Sequence, residues 1–259
     1  MTRSKIMATT AFSALLVAGV IFIFGIVRAP AAHAAECGIT AGDIAQITAI
    51  QNDPSLSTSD EIKQELALRK ILVGDTIVCA EQEVQTIQTN LASTTAPSDV
   101  QSLQSQLLGN LNEAANFYDS EMAQLNVVGI AGTKAIAAQV LSWRQSSFLP
   151  LSEGVNNFIL WAQNQNLFST AQTRMNQTES AVAFLEAASA NPDLQTAFNS
   201  AQSSFNDAES ENAAAQAALV QNLSPDQSLA LIKQSLASLS TTYQNLFTVS
   251  NLINGIIPQ

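Results

Sequence analysis

The residues able to do chemistry in this chain of 259 amino acids are few, and their types exclude more than they suggest. The sole histidine is His33, which stands in RAPAAHAAECGIT directly after a long apolar run. If the chain is cut behind that run, no imidazole is left. Ser-His and Cys-His nucleophilic sites, histidine-ligated zinc and the usual neutral-pH proton shuttle then go with it.

Carboxylates remain. Glu61 and Glu65 lie one helical turn apart, as do Asp207 and Glu211, with Glu209 between them. Such pairs can transfer protons or hold a hard cation. The Asp207–Glu211 cluster lacks a glycine-bearing loop and sits within a helical pattern, so it reads as a solvated face. Glu61 and Glu65 fit a helix start, where acids meet the positive end of the dipole, with Glu65 four residues before Arg69. Gly129-Ile130-Ala131-Gly132-Thr133-Lys134 lacks the G-x-x-x-x-G-K-[ST] spacing of a phosphate loop and follows no strand; it reads as a helix-to-helix turn with a Thr cap. No Ser-x-x-Lys opens a helix, and Lys63, Lys134 and Lys233 read as solvated. No catalytic, cofactor-binding or metal-ligating residue is assigned, and no cofactor is expected.

Two cysteines, Cys37 and Cys79, complete the inventory. A bacterial lipid anchor wants a small residue before the cysteine, and Glu36 is not one. In an exported chain the two therefore read as a disulfide. A redox site would use C-x-x-C, which is absent. The densest aromatic region, Trp143, Phe148, Phe158, Trp161 and Phe168, is the candidate interaction patch, set against the alternative of a core around Pro150.

The elements that must position these groups begin with a leader. Arg3 and Lys5 precede an apolar run from Ile6 to Val27, and Ala32 and Ala34 suit a cut after Ala34. Residues 1–34 are thus expected to be a signal peptide, or, if uncut, a transmembrane anchor over about 6–27. Both readings put residues 35–259 outside the cytoplasm, because the basic residues ahead of the run hold the N-terminus inside. Three of the ten basic residues lie in the leader, so the exported part keeps seven against all 21 acidic ones, a formal −14. Nucleic acid and anionic lipid are poor partners for such a chain. The membrane is met only through an uncut leader.

The remainder is expected to be all-α, an elongated up-and-down bundle of about six to seven helices, with a subdivision near 129–133 left open. Strand alternation is nearly absent, and apolar residues return every three or four positions. Thr40 with Asp43 caps a short first helix, and Thr58 with Glu61 opens a second, with a weak point at Gly74-Asp75. Pro97-Ser98-Asp99 opens a third, carrying Leu111, Tyr118, Met122 and Leu125 on one side. A fourth starts near Thr133, and Pro150 either opens the next helix or kinks a continuous one. Asn191-Pro192-Asp193 and Ser224-Pro225-Asp226 start the last two. Leu194, Phe198, Ala201, Phe205, Ala208, Asn212, Ala215 and Leu219 form one seam, and Leu229, Ile232, Leu236, Leu239, Tyr243, Leu246 and Ile253 the other.

From these features the expected function is a non-enzymatic structural or protein-interaction component of the bacterial cell envelope, acting through a protein partner or self-association. The alternatives are an extracytoplasmic carrier for an apolar ligand or peptide, using the aromatic region, and an exported carboxylate hydrolase.

Overall fold

The computed structural model describes residues 40–188 and 191–256. The leader, His33 and Cys37 lie outside the described residues. Seven α-helices account for nearly all of these: α1 (Ala41–Gln51), α2 (Thr58–Ser93), α3 (Gln101–Leu125), α4 (Ile130–Trp143), α5 (Leu149–Ala188), α6 (Pro192–Val220) and α7 (Pro225–Ile256). A 3₁₀ turn, Ser98–Val100, leads into α3, and no strand occurs among the described residues. The all-α bundle class expected from the sequence is the one observed. Two compact units divide the chain, 40–159 and 160–256. The boundary thus falls within α5, and the turn near 129–133 lies inside the first unit.

Local chemistry sets the helix starts. Thr40 and Asp43 form a reciprocal capping box on α1. On α2 the cap is Ser57, whose side chain accepts from the Asp60 amide, one residue ahead of the expected Thr58 with Glu61. Both pairs have the capping spacing, and the earlier one wins because the chain already turns at Asp53–Ser55. The Asn191 Oδ1 accepts from the amides of Asp193 and Leu194 at 3.2 Å, ahead of Pro192. Thr133 does not cap α4. The helix begins at Ile130, and the buried Thr133 hydroxyl donates back to the Gly129 carbonyl at 3.1 Å. A Cβ on Gly132 would lie 2.5 Å from that of Val128, so the tight turn entering α4 requires glycine there.

In the first unit α2 and α3 run antiparallel. Gln88 Nε2 donates to Asn112 Oδ1 at 2.9 Å, and Lys70 Nζ donates to the Asn126 carbonyl at the end of α3. α2 continues through Gly74 without a break, and the side chains of Leu125 and Met122 pass over that glycine. Val73, Ile77, Ala80, Val84, Ile87 and Leu91 form its buried stripe.

In the second unit, the part of α5 from Leu160 onward packs with α6 and α7 around Phe168, Met175, Phe198, Phe205, Leu239 and Leu246. The α6 seam is as expected. On α7 the expected Ile232, Leu239, Tyr243, Leu246 and Ile253 are buried, but Ser228, Ser235, Thr242, Val249 and Ser250 join them, while Leu229 and Leu236 are half-buried. Small polar residues hold those seam positions for a steric reason. Gln234 bonds Glu211 at 2.7 Å and Asn245 bonds the Ser200 carbonyl at 3.2 Å. That register sets Ala215 level with Ile232, Ala208 with Leu239, Phe205 with Thr242 and Ala201 with Leu246. At these four levels a large residue faces a small one, which lets the two backbones approach closely. The turn between them is a Schellman closure. Leu223 N–H reaches the Ala218 carbonyl, and Asn222 adopts φ 53°.

Candidate functional site

The chemistry-bearing side chains of the first unit gather where α4 passes into α5. Arg144–Phe148 is a π-helical segment, in which the Leu149 N–H donates to the Arg144 carbonyl five residues back. Pro150 explains it. A proline ring collides with the carbonyl four residues earlier and offers no N–H, and the wider π turn absorbs both demands without ending the helix. Of the two readings open at Pro150, the continuous helical path is the one observed.

The π segment turns Arg144 inward. Its Nη2 lies 2.6 Å from Glu83 Oε2 of α2, with the two side chains 9% and 11% exposed. Burial works against the guanidinium charge, but Glu83 outweighs it and the pKa of Arg144 is raised. The same guanidinium stands over the Phe148 ring, 5.3 Å from its centroid. Around it Phe117 stacks on Trp143 at 4.1 Å, and Tyr118 meets Trp143 and Phe148 edge-on. Burial pushes the Tyr118 hydroxyl above its ordinary pKa, with the nearby Arg144 opposing.

The five aromatics of the expected patch do not form one exposed surface. Phe148 and Phe158 are fully buried, Trp161 and Phe168 nearly so, and Trp143 is half-buried. They also divide between units, with Trp143, Phe148 and Phe158 in the first and Trp161 and Phe168 in the second. Their helical spacing buries four of them within the two units and leaves Trp143 half-buried beside Phe117.

Acidic residues serve as ties between or along helices. Glu65 is buried and accepts from Arg69 Nε at 2.6 Å. Burial of Glu65 is outweighed by Arg69, Gln51 and Lys134, and its pKa is lowered. Glu61 is half-buried, while Asp207 and Glu209 are exposed on α6, as a solvated face requires. Glu211 accepts from Gln234. Among the described residues no group of three or more His, Cys, Asp or Glu side chains could hold a metal ion. Lys63, Lys134 and Lys233 are exposed, and Lys63 makes only a 3.9 Å contact with Asp60.

The sequence reading missed Glu83, Arg144, Tyr118 as a polar group, and Glu121. Glu121 had a signal. The inward residues of α3 are Leu111, Ala114, Tyr118, Glu121 and Leu125, an unbroken three-four rhythm that assigns a core position to a carboxylate and leaves Met122 half-buried. Glu83 and Arg144 are 61 residues apart, and nothing local pairs them.

No protein-family model, curated protein or solved structure matches this chain. Among the described residues, no helix is long and apolar enough to cross a membrane.

Proposed function

We propose that this chain is a non-enzymatic structural or interaction component of the bacterial cell envelope, exported behind residues 1–34 and acting through a protein partner or a second copy of itself. The observation that supports it most is the use made of the polar inventory. Glu83 with Arg144, Glu65 with Arg69, Glu121 with Gln139, Glu211 with Gln234, and Gln165 with Asn212 each tie helix to helix or turn to turn. The residues most able to do chemistry are spent on fixing register. What is left outward is long helical faces of Gln, Asn, Ser and Thr, suited to contact rather than turnover. The carrier reading is less well supported, since the aromatic residues it relies on are packed as core.

The Cys37–Cys79 disulfide belongs to the same proposal. The chain has two cysteines, and none is free among the described residues. Gln51 at the end of α1 reaches Glu65, and the helices reverse at 52–57. Closing the loop stabilises by about 4 kcal/mol in the chain-entropy model.

Sedimentation of the oxidised protein, with and without an apolar dye, tests the function. Self-association, or a stable complex recovered with an envelope protein, supports the proposal. A strict monomer at high concentration that takes up the dye overturns it in favour of a carrier.

A further inference from the structure

Glu121 is 2% exposed in the interface of α3 with its neighbours. Its Oε1 accepts from Gln139 Nε2 of α4 at 2.9 Å. Its Oε2 is buried with no donor. An ionised oxygen in that position forgoes both water and a hydrogen bond, whereas a neutral carboxyl loses far less. Two residues earlier, on the more open side of α3, Asp119 meets Glu81 of α2. Asp119 is exposed and Glu81 half-buried, and the like charge of Asp119 disfavours ionisation of Glu81.

The surrounding charges do not relieve either place. The five cations of the first unit are Lys63, Arg69, Lys70, Lys134 and Arg144. Arg144 faces the interface but is taken up by Glu83 of α2. Arg69 bonds Glu65, and Lys134 of α4 acts on the same carboxylate. Lys70 donates to the Asn126 carbonyl, and Lys63 lies by Asp60. Among the described residues no cation forms an ion pair with Glu81 or Glu121, and the charge of Asp119, of like sign, acts on Glu81.

We propose that Glu121, seconded by Glu81, is a proton-operated latch that closes α3 onto α2 and α4 in acid and loosens it as these two carboxyl groups ionise. Burial holds the Glu121 pKa above the ordinary glutamate range, and burial followed by Asp119 does the same for Glu81. The sign follows. The folded unit binds these protons more tightly than the unfolded chain, so their contribution is complete in acid and is lost as the pH rises through the folded-state values. This inference does not depend on the proposed function.

The test is hydrogen exchange on the full chain, reading protection of α3 amides at pH 4.5 and pH 8 in the native protein, in Glu121→Gln and in Asp119→Asn. The glutamine keeps the acceptor for Gln139 and cannot ionise. Relative to the native chain, Glu121→Gln is expected to raise α3 protection about tenfold at pH 8, where the native carboxylate is buried without a second donor, and to change it little at pH 4.5. Asp119→Asn is expected to act in the same direction. A native-to-variant difference that is the same at both pH values overturns the latch. Carbon NMR of the Glu121 carboxyl in the native chain gives a second reading that needs no variant. A midpoint above the ordinary glutamate range supports the latch, and one at or below it overturns it.

Discussion

Replacing Arg144 by methionine removes a charge that Glu83 depends on. The pair sits 2.6 Å apart with each side chain about nine-tenths buried, and it joins α2 to the π segment across 61 residues. Methionine fills much of the volume, so the loss is mainly electrostatic: Glu83 is left charged and buried without a partner. A loss of about 3–5 kcal/mol is expected from stranding one member of such a pair. Removing both charges, as Glu83→Met with Arg144→Met, takes away the stranded carboxylate and should recover most of it, because a buried ion pair and its apolar replacement are often close in energy. The recovery stops short by the lost cation–π contact with Phe148, about 0.5–2 kcal/mol. Equilibrium urea unfolding suits the measurement, followed by Trp143 fluorescence in a Trp161→Phe background, since Trp143 stacks on Phe117 beside this site. The double-mutant cycle then gives the coupling directly. An Arg144→Met variant within 1 kcal/mol of the parent, or a double variant no more stable than that single one, refutes the reasoning.

Four further outcomes follow from the packing. Ala208→Leu should destabilise the second unit by about 1–3 kcal/mol, because Ala208 is fully buried level with Leu239 and the backbones have no room to part; thermal unfolding reads it. Leu246→Ala should cost about 2–5 kcal/mol by leaving a cavity in the core of the second unit, as urea midpoints will show. Asn191→Ala removes the acceptor for two amides and should cost about 1 kcal/mol, with faster hydrogen exchange confined to the first turn of α6. The Glu65–Arg69 pair has the opposite pH sign to Glu121. Its contribution is present above the ordinary glutamate range and lost as the pH falls through the lowered value, so Arg69→Gln should weaken the first unit at neutral pH and matter little in strong acid, as urea unfolding at the two pH values will check.

Helix identity was legible because it rests on signals within four or five residues. Thr40 with Asp43 and Asn191 with Pro192 are such local pairs, and the structure uses them as caps. The α6 seam was legible because its apolar spacing is regular. The α7 seam was misread for a definable reason. Ser228 and Thr242 are small residues level with Leu219 and Phe205 of α6, and the Ser228 and Ser235 hydroxyls donate back to their own helix. A hydropathy stripe passes over small residues and selects Leu229 and Leu236 instead. At Pro150 the sequence held the cause of the irregularity but not its form, since a kink, a break and a π turn all answer the same missing N–H. The Glu83–Arg144 tie was beyond reach, because only the antiparallel return of the chain brings the two together.

We propose that residues 35–259 are a disulfide-stapled interaction protein working outside the cytoplasm. The intact mass of the protein purified from its native cells, taken before and after thiol alkylation under denaturing conditions, tests it most directly. The predicted result is a chain beginning at Ala35, recovered outside the cytoplasm, lighter than its reduced form by the hydrogens of one Cys37–Cys79 bridge and inert to alkylation. A full-length chain from the cytoplasm that takes up alkylating reagent at both cysteines would contradict it.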